Sequence, residues 1–294
     1  MQWISYFFAR AIVAGFWLIP FSVLYKISNG LAFLLYKVIG YRAGVVEENL
    51  RRCFPEKSAA EIKNLAYKSY LNLSDITLET IKSLSTPVPE IVRRYKVCNP
   101  EILEKYFDEG RTVIICGTHY NNWEWGVLTI NLAFRAQTFG INSPLTNKLV
   151  DNFINKKRVR GGMELVPKPT TFEHIEANLH RPGAYLILGD QSPSNRKRIH
   201  WVNFLGVETA CASGADFISK KYNFPVFYLE IQRVKRGYYE LHFSELFMEP
   251  RQAGEGEVTQ KLMENLEKAV RRQPENWLWS HRRWKIKRED LVSV

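Results

Sequence analysis

Thr112-Val-Ile-Ile-Cys-Gly-Thr-His-Tyr-Asn-Asn-Trp-Glu124 is the stretch from which the fold of this chain is read. Residues 112–116 form a short apolar run that reads as a buried strand. Gly117 and Thr118 then supply a bend and a candidate cap. His119 and Glu124 follow. On a continuous helix, residues five apart lie about 140° apart at roughly 3.6 residues per turn, so these two would not share a face. For them to meet, His119 has to sit in the turn that leaves the strand and Glu124 on the first turn of the next helix. A histidine just past a buried strand with an acid close behind has the composition of a general base and its orienting partner. The same residues also describe a surface histidine and a helix-start glutamate favoured by the macrodipole. Residue types alone leave both readings standing.

Outward from this stretch the period of the chain alternates. Apolar runs at 184–189 and 225–231 predict further buried strands, and Tyr239-Glu-Leu-His-Phe243 alternates like a more exposed one. Helical stretches are expected around 123–134, 148–160, 170–180, 209–222 and 256–273. Upstream, 43–84 reads as helical. Val45, Val46, Leu50 and Phe54 form one apolar face, Pro55 stops that helix, and Ser58-Ala-Ala-Glu61 resembles a capping box. The next helix carries Ile62, Leu65, Tyr67, Leu71 and Leu73, runs on through Ile76 and Ile81, and breaks at Thr86-Pro-Val-Pro89. Strands alternating with helices predict an α/β protein with a mixed central sheet flanked by helices. The chain divides into residues 1–40 and a single α/β domain over 41–294, with no repeats and no linker beyond residue 40.

The 294 residues are 46% hydrophobic and 24% charged, enough for a substantial core. The net charge of +11 is spread over Lys156-Lys157-Arg158, Arg196-Lys197-Arg198 and Arg282-Arg283-Trp284-Lys285. Such a surplus suits anionic partners: phospholipid head groups, phosphorylated substrates, acidic carrier proteins or nucleic acid. Four cysteines (Cys53, Cys98, Cys116, Cys211) form no C-x-x-C pair, so a reduced compartment is expected, with neither a disulfide scaffold nor a metal framework.

The amino terminus is apolar and aromatic. From Trp3 to Leu24 the only charge is Arg10, and a second apolar run, Leu31-Ala-Phe-Leu-Leu-Tyr36, follows. An unbroken span needs ~20 apolar residues, and Arg10 and Pro20 both compromise this one. A cleavable signal peptide fits poorly, because there is no basic start and no small-residue cleavage site. The segment is expected to be an uncleaved anchor, spanning once or lying in the interface as a helical hairpin. Lys26, Lys37, Arg42, Arg51 and Arg52 follow it and place the remainder on the cytoplasmic side. A buried helical hairpin of a soluble protein is the plainer reading.

Three other segments carry candidate chemistry. Asn155-Lys-Lys-Arg-Val-Arg160-Gly-Gly162 offers guanidinium forks for phosphate oxygens and glycines for close backbone approach, or else a solvated basic helix end. Gly189-Asp190-Gln191 closes a buried strand, the edge where α/β proteins build sites, so Asp190 is either a second acid near His119 or a cap for the following loop. Trp279-Ser-His281-Arg282-Arg283-Trp284 mixes aromatic and basic residues in a way that suits an anionic substrate, RNA or a membrane. Nucleophiles are weak: Ser213 stands outside a G-x-S-x-G elbow, and Cys116 reads as core. Their absence favours direct transfer over a covalent intermediate. No P-loop or G-x-G-x-x-G pattern occurs, and one histidine with one acid is too few for zinc.

Taken in order, these segments resemble the lipid A biosynthesis acyltransferases (lauroyl/myristoyl transferases) within the lysophospholipid acyltransferase-like superfamily. The resemblance runs from Val46-Glu-Glu-Asn-Leu-Arg-Arg-Cys-Phe-Pro55 through the H-x-x-x-x-E box and the arginine-bearing helix to Gly189-Asp-Gln191. It continues at Phe204-Leu-Gly206 with Thr209 and closes on Pro274-Glu-Asn-Trp-Leu-Trp-Ser-His-Arg-Arg-Trp-Lys285. It implies a glycerol-3-phosphate acyltransferase-like fold and an O-acyltransferase of lipopolysaccharide synthesis on the cytoplasmic face of the bacterial inner membrane. The co-substrates it implies are a thioester donor, acyl carrier protein or coenzyme A, and a lipid acceptor with a free hydroxyl. No resident cofactor, metal or nucleic acid is expected. His119 would be the base and Glu124 would fix its tautomer; Arg158 and Arg160, with Asp190 and Asn122, would bind substrate. Backbone N–H groups near Gly117 would receive the oxyanion. Tyr120, Asn121, Asn122 and Trp123 crowd the box and bear on the identity of the acceptor. Rival readings are a transferase acting on a lysophospholipid, a monoacylated aminolipid or a mannosylated phosphoinositide, and a non-catalytic basic membrane-peripheral binding protein. Thiol release from acyl-carrier substrates separates the last from the others.

Overall fold

Ile19-Pro20 splits the apolar amino terminus into two helices, α1 (Gln2–Leu18) and α2 (Phe21–Phe33), because proline removes a donor and fixes an extended entry at the start of α2. In this computed structural model, which describes residues 2–196 and 198–291, α2 runs into one π-helical turn, Leu34–Val38. Gly40 and Arg42, both at positive φ, then turn the chain into α3 (Ala43–Cys53). The long α4 (Ala59–Ser83) starts at the expected capping box: Ser58 Oγ accepts from the Glu61 N–H, and the Glu61 carboxylate accepts from the Ser58 N–H. The expected break at 86–89 is where α5 (Val88–Arg94) begins, leading into β1 (Tyr95–Val97) and α6 (Glu101–Asp108).

The α/β region continues with β2 (Val113–Gly117), α7 (Glu124–Thr129), β3 (Gln137–Asn142), α8 (Lys148–Arg158), β4 (Glu164–Pro167), α9 (Thr171–Ala177) and β5 (Gly183–Leu188). A hairpin, β6 (Ile199–Phe204) and β7 (Val207–Ala212), follows, then α10 (Gly214–Tyr222), β8 (Val226–Lys235), β9 (Tyr238–Phe247) and α11 (Glu257–Arg272). Seven strands form one mixed sheet in the order β1-β9-β8-β2-β5-β3-β4. All its pairs are parallel except β8 with β9. Helices flank it, as the alternating period predicts. Strand β2 sits at the centre and is buried on both faces: Val113 and Ile115 join the core on one side, Ile114 and Cys116 the core on the other. A third core joins α3 and α4 to the hairpin and the carboxy-terminal tryptophans.

One expected helix is half strand. Residues 209–212, small and apolar, belong to β7, and only the part from Gly214 on is helical. Their strand identity comes from pairing with β6 around Leu205 and Gly206, both at positive φ, as a two-residue hairpin turn demands. Lys197, the middle of one basic cluster, lies outside the described residues.

The amino-terminal helices are hydrogen-bonded to the body of the protein. Tyr25 Oη donates to Glu79 (2.8 Å), and Ser28 Oγ donates to Asp75 (2.6 Å). Lys82 Nζ donates to the last carbonyls of α1, those of Phe16 (2.8 Å) and Trp17 (3.0 Å), a cation at the negative helix end. The outer face of α1 stays apolar and exposed at Trp3, Ile4, Phe7, Phe8, Trp17 and Leu18. No single helix among the described residues is long and apolar enough to cross a membrane. The bent pair of helical segments Phe21–Val38 and Ala43–Cys53, at 89°, meets the length and composition test only together.

Asp75 holds this arrangement from the inside of α4. Its buried carboxylate accepts from Ser28, from Arg233 (2.6 Å) and from Arg236 (2.6 Å), joining α2 and the β8–β9 turn to one helix. Removing one partner of a buried pair costs ~3–5 kcal/mol because the other charge stays buried. Asp75→Asn is therefore expected to destabilise the protein by about 3 kcal/mol or more, measured by urea unfolding. An unchanged midpoint would show that this ion cluster contributes no net stability.

Candidate active site

The site follows from sheet register. In the parallel pair β2–β5, Gly117 lies opposite Leu188, the last residue of each strand. The Gly189 N–H continues the ladder to the Gly117 carbonyl at 3.1 Å. Two residues past each strand end stand His119 and Asp190, which the register brings face to face at the carboxyl edge of the sheet. A Cβ at Gly117 would lie 2.8 Å from Leu188 Cδ2, and one at Gly189 2.6 Å from Leu262 Cδ2, so a larger residue at either position would have to displace a leucine end.

His119 Nδ1 lies 2.7 Å from Asp190 Oδ1, and the His119 N–H donates to both carboxylate oxygens at 3.0 Å. Trp277 Nε1 donates to Asp190 Oδ2 at 2.8 Å. Asp190 is 1% exposed. Burial alone would raise its pKa, but the His119 and Trp277 donors outweigh that and hold it below the ordinary aspartate value. Asp190 is thus the second acid beside His119, and the acid bound to Nδ1 is not Glu124. The His119 ring meets Trp123 edge-on, centroids 4.9 Å apart. Trp123 and Trp277 line a narrow crevice of about 10 Å³, room for about one water, with Leu73, Ile76 and Leu278.

Glu124 begins α7, as the spacing requires, but its carboxylate pairs with Arg158 at 3.1 Å. Arg158 ends α8 half-buried, its Nε without a hydrogen-bond partner. Arg160, two residues on, donates to the carbonyls of Ser83 (2.6 Å) and Lys157 (2.9 Å), so its fork holds protein backbone. The glycines beside it serve packing: a Cβ on Gly161 would lie 1.9 Å from the Leu128 carbonyl oxygen of α7.

The crowded interior of the box has a structural explanation. Tyr120 Oη donates to the carbonyls of Ala269 and Gln273, both at 3.1 Å, and Asn121 Nδ2 donates to that of Ile231 at 2.7 Å. Asn121 adopts φ 56°, and its N–H reaches the Asn276 carbonyl. Asn122 is fully buried; its amide donates to Glu79 (2.7 Å) and its oxygen accepts from the Trp125 N–H (3.1 Å). Both ends of Asn122 are used inside the loop, away from the crevice. The His119 N–H is likewise taken by Asp190 and does not serve an oxyanion.

Distant segments converge behind the site. Asn49 donates to the carbonyls of Trp279 and His281, Phe204 packs edge-on against Trp277 (5.3 Å), and Trp284 Nε1 donates to Thr209. Arg283 is buried and donates to the Ala210 carbonyl and to Cys211 Sγ. Residue types along the chain signal Trp277 and Glu79 poorly: a tryptophan in a closing signature and a glutamate inside an apolar helix reveal their partners only through tertiary packing. Burial pushes the Cys116 thiol up to about 12 and raises that of Cys211, which makes both poor nucleophiles.

The family profile of the bacterial lipid A biosynthesis acyltransferases matches residues 1–286. The lipid A biosynthesis lauroyltransferase of Escherichia coli (strain K12) is 24% identical over 288 residues, covering 94% of this chain and 91% of that protein. The palmitoleoyltransferase of the same organism is 22% identical, with 92% and 87% covered. The lipid A biosynthesis acyltransferase of Haemophilus influenzae (strain ATCC 51907 / DSM 11121 / KW20 / Rd) is 21% identical with the same coverage.

The site also predicts acid sensitivity. His281 Nε2 accepts from the Ser192 N–H (3.0 Å), and burial, aided by Arg283, lowers its pKa to about 4. Between the ordinary histidine value of ~6.5 and about 4, the unfolded chain binds a proton that the folded one does not. Stability should therefore fall as pH drops through that window and level off below it. Asp190, held low when folded, adds a second loss beneath the ordinary carboxylate range. Urea midpoints measured from pH 7.5 to 4.5 should decline in wild type, and His281→Gln should flatten the upper part of the decline. Equal slopes in the two proteins would contradict the assignment.

Proposed function

This chain belongs to the bacterial lipid A biosynthesis acyltransferase family and is an O-acyltransferase, and we propose that it moves a fatty acyl chain from a thioester donor, acyl carrier protein or coenzyme A, to a hydroxyl of a lipid A precursor or similar glycolipid. The observation that carries the mechanism is the buried Asp190 on His119 Nδ1. With Nδ1 engaged, Nε2 is the basic nitrogen. It removes the acceptor's hydroxyl proton as that oxygen attacks the thioester carbonyl; the C–O ester bond forms, the C–S bond breaks, and the proton leaves with the thiol. Asp190 holds the tautomer and stabilises the imidazolium, the orienting part first expected of Glu124. Glu124 instead braces Arg158 at the end of a basic helix, where its guanidinium is suited to phosphate on acceptor or donor. Transfer is direct, with no acyl-enzyme.

The net charge of +11 favours acidic carrier proteins and anionic lipid. The exposed aromatic face of α1 supports attachment in the interface of the inner membrane on its cytoplasmic side, and no resident metal or cofactor enters the reaction.

His119→Ala is expected to lower thiol release from acyl-carrier substrates by ~10²–10⁴-fold in kcat, and Asp190→Asn to fall in the same range with KM little changed. A folded His119→Ala protein with the wild-type rate would sink the mechanism. Lipid mass spectrometry of a strain lacking the gene should show loss of one acyl chain from lipid A. Unaltered lipid A with an altered phospholipid profile would point to a different acceptor. Replacing Trp3, Phe7 and Phe8 together by serine should weaken co-sedimentation with anionic vesicles by roughly tenfold or more. Undiminished binding would place the membrane contact elsewhere.

A further inference from the structure

Glu79 is the most deeply committed acid of α4. It is fully buried, and three elements meet on its carboxylate. Tyr25 of α2 donates to Oε1 (2.8 Å), while Asn122 of the box (2.7 Å) and Tyr239 of β9 (2.9 Å) donate to Oε2. Its main-chain carbonyl accepts from Trp125 Nε1 at 3.2 Å, and Asn122 in turn caps the Trp125 N–H. Asp75, Tyr95 and Arg233 stand nearby, and Glu124 bears on the same pocket through Tyr95.

A carboxylate in such surroundings is a costly way to pack a helix against a sheet, because an apolar residue of similar size would serve stability as well or better. What the acid does that an apolar residue does not is aim a donor. Asn122 stands between His119 and Glu124, and Trp125 follows Glu124 directly; the Glu79 carboxylate holds Asn122, and through the Asn122 oxygen the Trp125 N–H, while the Trp125 indole meets only the Glu79 main chain.

We propose that Glu79 is the positioning residue of the reaction: by fixing Asn122 and Trp125 it sets where His119 and Glu124 stand, without touching substrate. The inference rests on the reading of His119 as the base. A catalytic group displaced by about 1 Å loses on the order of 10²-fold in rate, so small slack in this loop is read directly in turnover.

The test removes the acceptor and then restores it. Glu79→Leu leaves the Asn122 amide without its acceptor and is expected to lower kcat about 10- to 100-fold, with KM close to wild type. In Glu79→Gln the side-chain oxygen still accepts from Asn122 and the tyrosine hydroxyls turn to suit the new amide, so kcat should return to near the wild-type value. A role limited to core stability would move melting temperature and leave kcat unmoved in the folded fraction. Wild-type kcat in folded Glu79→Leu, or a Glu79→Gln protein as slow as Glu79→Leu, overturns the proposal. His119→Ala separates the two readings: if it is inactive while Glu79→Leu is fully active, the base stands and the positioning role falls. An active His119→Ala removes both. If Glu79→Leu does not fold, Asn122→Ala, which removes the donor, is read in its place with the same expected loss, and failure of both to fold makes Glu79 a core-stability residue.

Discussion

The parallel pairing of β2 with β5 is the constraint on which the rest of the molecule depends. It ends both strands level, at Gly117 and Leu188, and so delivers His119 and Asp190 to one point. A carboxylate carried to such a buried position needs donors, or it must take up a proton. Three are provided, two from His119 and one from Trp277, and the last commits the carboxy-terminal segment to the sheet edge. The β6–β7 hairpin and α3 then pack on the same tryptophans. The segments that carry the family likeness, scattered from Asn49 to Trp284, are therefore one neighbourhood in space.

A second row of buried polar groups runs along α4. Asn72, Asp75 and Glu79 are spaced at three and four residues, so they share one helix face, and that face looks into the protein. Each faces a different element: the segment before Trp277, the β8–β9 turn and the box. The apolar residues expected to define the inner face are divided, with Ile62, Leu65 and Ile76 buried while Tyr67, Leu71 and Leu73 are only partly covered. Polar contacts, as much as apolar ones, decide which way this helix turns.

Central elements were legible because they are buried on both faces. The runs at 112–116, 184–189 and 225–231 are continuous in apolar residues for that reason, and each is a strand. Strands away from the centre were not: β1 at one edge is three residues long, and β3 with β4 at the other edge mix polar with apolar positions. In β7 the small residues Ala210, Cys211 and Ala212 suit a close-packed helix as well as a strand, and pairing with β6 decided. At the site, His119 was readable from its place after a strand, while its partner was sought five residues away. The partner lies 71 residues on, joined by register, which leaves no mark on local spacing. The side chains of Arg160 and Asn122, read from residue type as substrate-binding, have protein partners in Ser83 and Glu79, which local sequence does not signal.

The attachment of α1 carries a consequence for biosynthesis. This helix is made before the residues that hold it: the lysine that caps its last carbonyls is 66 residues further along, and the phenylalanine against Tyr6, Phe153, comes later still. At ~5–20 residues per second, Lys82 is added several seconds after Phe16, and emergence from the ribosome adds to the delay. During that interval the inner face of α1, with Tyr6 and Val13, lacks the protein surface that later covers it. The order of synthesis thus leaves α1 without its partners until α4 and α8 have followed it.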